Sequence, residues 1–146
     1  MEKLTVENSV WIDALRKDVW RAVTETQLIK EWWADHSYGE IIELQVGATI
    51  KYGSDDDPIL STILVVDPPA EFVFQWPPHP RWYSIAMTTR YLLEEENGDT
   101  RVTVSEEGFE KMPESGRQAR FGRITGEYRM VMENLQAYLE GGSQSL

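Results

Sequence analysis

The sequence has no cysteine, which removes both a disulfide framework and a thiol nucleophile. Histidine is almost missing: His36 and His79 are the only two among 146 residues. Asp35-His36 could begin a metal site, but nothing offers the remaining ligands at usable spacing, and His79 lies isolated among prolines. Positive charge is scarce, with 14 Lys and Arg against 25 Asp and Glu and a net charge of −11. That balance works against nucleic acid or an anionic membrane as partner, since both are held mainly by Lys and Arg. Long apolar runs are absent, so no membrane-inserted helix is expected. Met1-Glu2-Lys3 leads directly into strand-like text with no signal-peptide core, which makes the cytoplasm the expected location. There is no phosphate-cradling glycine loop, dinucleotide fingerprint or nucleophile elbow. Asp55-Asp56-Asp57 lacks the alternating acids, central Gly and terminal Glu of a calcium loop and reads as a solvated turn. No cofactor or metal is expected.

What the chain does have is aromatic surface: six Trp, six Tyr and four Phe. These are large pieces for a core that the length limits to one domain, expected over residues 1–142 with 143–146 as a frayed tail. The most regular stretch is the last. From Ser115 to Glu140, Phe121, Ile124, Tyr128, Val131, Leu135 and Tyr138 recur three and four apart, with Met132 and Leu139 widening the stripe. That is one buried face of a helix about 37 Å long, which Gly122 and Gly126 are expected to bend or loosen in its first half.

Upstream, Leu4 to Ile12 alternates as a half-buried strand. Two short helices follow, Leu15 to Val23 with Asp13 as cap and Thr24 to Ala34 with Thr26 as cap. Six strand segments come next: Gly39 to Val46, Ala48 to Tyr52, Ile59 to Val66, Phe72 to Trp76, a long one opened by Trp82 and Tyr83, and Thr100 to Glu106. Asn97-Gly98 is a hairpin turn between the last two. Strands joined by tight turns make an antiparallel sheet, and the terminal helix must cover its apolar side. The expected class is α+β.

Several phrases in this order carry a resemblance. They are Ile12-Asp13-Ala14, Val19-Trp20, Thr24-Glu25, Trp32-Trp33, Gly47-Ala48-Thr49-Ile50, Val66-Asp67-Pro68-Pro69, Phe72-Val73-Phe74-Gln75-Trp76, Glu107-Gly108-Phe109 and Met132 to Glu140. The sequence resembles the START-like, or SRPBCC, superfamily with its helix-grip fold. Within it, the match is to the branch named for homology to activators of the ninety-kilodalton heat-shock chaperone ATPase. The resemblance implies a curved antiparallel sheet of about seven strands wrapped around the long C-terminal helix, with two short helices after the first strand and a hollow in between. In the superfamily that hollow commonly takes lipids, sterols, polyketides or hormones, and some members use it for cyclase, aromatase or dehydratase chemistry. Two departures stand out. The branch commonly carries Gly-Trp where this chain has Glu127-Tyr128, and Leu15 stands where the first helix usually has a Pro.

The residues expected to line the hollow are Trp32, Trp33, Tyr52, Phe74, Trp76, Trp82, Met87, Tyr91, Glu106, Phe121, Ile124 and Tyr128. The plainer account of the aromatics is that they fill a core, but each indole N–H and phenol O–H then needs a partner. Strand parity places Glu106 beside Val102 and Val104, facing the helix. There it is paired, or raised in pKa near a mouth, or at a strand end already in water. Arg117, Arg120 and Arg123, with Lys111, either form a basic lip for a ligand anion or neutralise acidic surface. Three functions follow. The first is non-catalytic binding of a small apolar or amphipathic molecule. The second is cyclase or dehydratase chemistry with Glu106 or Tyr128 as acid–base group. The third is a co-chaperone role with a chaperone or other protein as partner, which calls for an exposed apolar patch that the sequence does not announce. A monomer or a homodimer is expected.

Overall fold

The computed structural model describes residues 4–33 and 37–141. The expectations for Asp35-His36, for the helix end at Ala34 and for the tail after Gly141 lie outside these residues. Strand β1, Thr5–Ile12, alternates as its sequence does, burying Val6 and Ile12 and exposing Glu7, Ser9 and Trp11. Helix α1, Arg16–Thr24, starts without a side-chain cap, with Leu15 in the cap position that Asp13 was expected to hold. Asp13 is used otherwise: its backbone N–H donates to Glu140 Oε2 at 2.8 Å, tying the end of β1 to the far end of the chain. Helix α2, Thr26–Trp32, has Glu25 rather than Thr26 in the cap position, again with no side-chain cap hydrogen bond. The Thr26 hydroxyl instead accepts from the Ile41 N–H at 2.8 Å and donates to its carbonyl at 3.1 Å. The Trp32 indole donates to the Ala22 carbonyl at 2.8 Å and so locks the two short helices together.

The remaining strands are β2 (Glu40–Ile41), β3 (Thr49–Tyr52), β4 (Ile59–Asp67), β5 (Glu71–Trp76), β6 (Met87–Glu96) and β7 (Asp99–Glu107). With β1 they form one antiparallel sheet in the order β1-β7-β6-β5-β4-β3-β2. Two expectations need correcting. The strand read over Gly39 to Val46 keeps only two residues, because β3 offers it two register partners, Lys51 and Ile50. Beyond them Ile42 and Val46 are 76% and 61% exposed, with no neighbouring strand to cover them. Nor do Trp82 and Tyr83 open β6. Pro80–Trp82 forms a single 3₁₀ turn, His79 Nδ1 accepts from the Arg81 N–H, and Tyr83 and Ser84 both take φ of 59°, which no strand admits. Asn97 and Gly98 turn the β6–β7 hairpin at φ of 54° and 88°, the left-handed pair such a tight turn requires.

Helix α3, Glu114–Gly141, has 28 residues, about 42 Å, and crosses the concave side of the sheet. It runs unbroken through Gly122 and Gly126, which face open space, so the expected weakness of its first half is not found. Ile124, Met132 and Leu135 are buried, and Phe121, Tyr128, Val131, Tyr138 and Leu139 are half-buried. The core divides in two. One cluster joins α1, the middle of the sheet and the second half of α3 through Trp20, Phe72, Leu93, Val102 and Leu135. The other joins the start of α3 to Val6, Trp82, Met87, Phe109 and Met112. Residues of both clusters face the space left between sheet and helix.

Candidate functional site

That space is a cavity of about 590 Å³. The sheet supplies its floor: Ile50 and Tyr52 from β3, Phe72, Phe74 and Trp76 from β5, Met87, Thr89 and Tyr91 from β6, and Glu106 from β7. Helix α3 closes it from above with Arg120, Ile124 and Tyr128, and one end is closed by Ile29 and Trp32 of α2 and by Trp33 just past it. Eleven of the twelve residues expected around the hollow stand in its wall. Phe121 does not. It shares the helix stripe, but Phe109 in the turn before α3 takes its ring edge-on at 5.4 Å. Trp76 is the hub of the aromatic wall, with Tyr52, Trp82 and Phe74 centred 4.3, 5.8 and 5.9 Å away.

Ser54, Asp57, His79, Arg81 and Glu127 also border the cavity, and a hydrogen-bonded polar cluster centres on Glu106. Glu106 is 5% exposed and is not a strand end in water: β7 is an inner strand, and Glu106 lies between Val6 of β1 and Thr89 of β6. Its Oε1 accepts from the Tyr128 hydroxyl at 2.5 Å and from the Thr89 hydroxyl at 3.3 Å. Thr89 Oγ1 in turn accepts from the Trp76 indole at 3.0 Å and lies 3.2 Å from the Tyr128 oxygen. Burial raises the Glu106 carboxyl above its ordinary value, opposed by the Tyr128 hydrogen bond, the Arg120 charge and the Thr89 hydrogen bond. Tyr128 is raised well above its own, by burial first and then by the Glu106 charge and hydrogen bond. Burial likewise holds Tyr52 and Tyr91 protonated.

At the outer end, the expected basic lip reduces to one residue. Arg117 turns back to donate to the carbonyls of Met112 at 2.9 Å and Glu110 at 3.4 Å, and Arg123 lies 3.5 Å from Glu127 in solvent. Of these three arginines only Arg120 lines the cavity, its guanidinium 5.7 Å from the centre of the Trp82 ring, which His79 stacks at 4.7 Å; Arg81 is a second basic side chain in the wall. Tyr83, in the segment that carries Trp82, rests its hydroxyl end on Gly116 of α3, where any Cβ would collide with it. Among the described residues no cluster of three or more side chains could hold a metal ion, and no helix is long and apolar enough to cross a membrane.

The family profile described as activator of Hsp90 ATPase homolog 1-like protein matches residues 13–140, nearly the whole cavity-forming chain. The chain belongs to that family. Its fold recurs in MLL2253 from Mesorhizobium loti, at 20% identity and a TM-score of 0.77 over 98% of this chain and 100% of that one. It recurs in the Aha1 dimer from Colwellia psychrerythraea, at 16% identity and a TM-score of 0.76 over 96% and 98%. DynU16, from the dynemicin biosynthetic locus, is 20% identical with a TM-score of 0.75 over 95% of this chain and 48% of that one. At these identities the likeness is one of fold. No curated protein matches the sequence.

In this Hsp90-activator-homologue domain, the departure at Tyr128 has a structural counterpart: its hydroxyl closes on Glu106. Thr89 and Arg120 stand with them in the polar part of the wall. Thr89 shares its strand side with Met87 and Tyr91, so parity already pointed it inward, but a lone Thr carried no signal of being a junction. Ile50, Ile29 and Phe72, also in the wall, were indistinguishable from packed core in the sequence.

The raised Glu106 pKa makes a prediction of definite sign. Native Glu106 holds its proton to higher pH than the unfolded chain does, so its contribution is present in full below the ordinary carboxylate range and is lost as pH rises through the raised value. Glu106→Gln therefore gains stability relative to the parent as pH rises from the ordinary carboxylate range through the raised value. Thermal unfolding of both proteins across that interval checks this, and a constant difference contradicts it.

Proposed function

We propose that this domain binds a small hydrophobic or amphipathic molecule in the cavity between the sheet and α3, without catalysis. The observation that carries the reading is that helix and sheet hold about 590 Å³ open between aromatic walls. That lies within the range of small-molecule sites, roughly 300–1,000 Å³, which are likewise mostly apolar with a few polar groups. Membership of a branch of the START-like superfamily supports it.

Glu106 favours a second reading, proton transfer of the cyclase or dehydratase kind. A buried carboxylate with a raised pKa beside a tyrosine is what such chemistry uses. It ranks second because Tyr128 and Thr89 spend their protons on Glu106 itself, and a carboxylate already accepting two hydrogen bonds is a weakened base. A protein-partner role draws on Ile42, Val46, Leu60 and Leu64, exposed at the β2–β4 end of the sheet.

The test fills the cavity. Ile124 is buried and faces it, and Ile124→Trp occupies the space at a cost of about 1–3 kcal/mol in packing. The parent binds one anilinonaphthalene sulfonate per chain with enhanced fluorescence. The variant, with an unchanged far-ultraviolet spectrum, binds it at least about tenfold more weakly, a difference of about 1.4 kcal/mol. Equal binding by both proteins would place the probe elsewhere and remove the reading.

A further inference from the structure

Two polar groups of the cavity keep hydrogen-bonding capacity that their protein partners do not use. Glu106 Oε1 takes both Tyr128 and Thr89, while Oε2 accepts from neither. Arg120 lines the same space, and its buried Nε–H has no acceptor. The two do not pair with each other, though the Arg120 charge is felt at Glu106. Buried polar groups are ordinarily paired, so an open acceptor and an open donor in one aromatic-lined hollow describe the complement of what fills it.

The arrangement also has a direction. Tyr128, which grips Glu106, and Arg120 lie eight residues apart on α3, about 12 Å along its axis. Glu106 is deep in the sheet and Arg120 half-exposed towards solvent. Along the floor the rings of Tyr52, Phe74 and Trp76, with Trp82 beside them, offer faces and edges to a flat π-system. An anion entering head first would meet the Glu106 carboxylate, whereas one held at Arg120 forms a charge-assisted pair.

Building on the binding reading above, we propose that the occupant is a flat aromatic acid bearing a phenolic hydroxyl. The hydroxyl donates to Glu106 Oε2 at the deep end, the ring system lies against Trp76, and the carboxylate accepts from Arg120 at the outer end. Glu106 is thus the specificity determinant for a hydroxyl and Arg120 for an anion.

The test is calorimetric titration of the protein with hydroxynaphthoate, naphthoate, naphthol and naphthalene, in the parent, Glu106→Gln and Arg120→Met. Hydroxynaphthoate binds best, and deleting either polar group weakens binding about tenfold or more in the parent. The hydroxyl's advantage falls severalfold in Glu106→Gln and the carboxylate's in Arg120→Met, each variant leaving the other advantage intact. If all four probes bind the parent within about threefold of one another, the cavity is a binding site without this polar recognition, and the inference fails while the binding reading stands. Advantages that persist unchanged in both variants also overturn it. If no probe binds, anilinonaphthalene sulfonate included, the binding reading itself falls. The ligand series in the parent decides the matter even if a variant fails to fold.

Discussion

Phe72→Ala lowers the unfolding free energy by about 3–5 kcal/mol. Phe72 is 1% exposed, meets Trp20 of α1 edge-on at 6.3 Å and Phe74 at 5.4 Å, and faces Tyr91 across the β5–β6 ladder. It is one of the rings that the first short helix meets on the sheet, and it also stands in the cavity wall. Its removal joins a new void to an existing one. Neighbouring side chains already border open space and have little to collapse against, which places the loss towards the upper part of the range. Domains of this kind have about 5–15 kcal/mol in all, so the variant loses a large share, visible as a fall in melting temperature of about 10 °C. The control is Leu64→Ala at the exposed bulge of β4, expected to stay within about 1 kcal/mol. Urea denaturation of the three proteins checks the ordering. A Phe72→Ala loss no larger than the control's would mean that the ring does not bridge helix and sheet.

Thr89→Val gives the second large effect, about 2–3 kcal/mol, although the shapes are nearly the same. The hydroxyl joins three groups: it accepts from Trp76, donates to Glu106 and lies beside the Tyr128 oxygen. The methyl leaves the Trp76 indole N–H without an acceptor and takes one of two donors from a buried carboxylate. The Glu106 pKa therefore moves further up, because the Thr89 hydrogen bond is one of the influences holding it down. Tyr128→Phe removes the other donor. The two changes act on one oxygen, so the double variant departs from additivity by about 0.5–3 kcal/mol. Denaturation of the single and double variants, with a carboxyl-carbon NMR titration of Glu106, reads both effects. Strict additivity with an unmoved Glu106 would show the network to be three independent contacts.

Much of this molecule can be read from periodicity alone. The stripe from Ile124 to Tyr138 specifies α3, and the alternation from Val102 to Glu106 turns Glu106 inward, because side-chain direction in regular elements follows directly from spacing. What escaped the reading lies where spacing stops deciding. The stretch 42–46 has strand-like residues but no neighbour to pair with, and strand formation depends on a partner as much as on propensity. Trp82 and Tyr83 have strand composition too, yet the Pro80 turn and two left-handed residues carry Trp82 over the mouth instead. Phe121 follows the same period as Ile124, and only the position of Phe109 draws it out of the cavity. Arg120 was one of three equivalent arginines until the packing of Met112 and Glu110 engaged Arg117 and solvent took Arg123. Which polar groups keep unused hydrogen-bonding positions is a property of the assembled site, and that is where the ligand proposal rests.

The central claim is that the space under α3 is the binding site, and methyl-resolved NMR with naphthol as probe tests it most directly. Ile50, Met87 and Ile124 report from inside the cavity, and Ile42, Leu60 and Leu64 from the exposed end of the sheet. Saturable shifts and probe-to-methyl Overhauser contacts are expected at the first three, with the second three unmoved. Shifts confined to Ile42, Leu60 and Leu64, or none at any of the six at saturating probe, would contradict it.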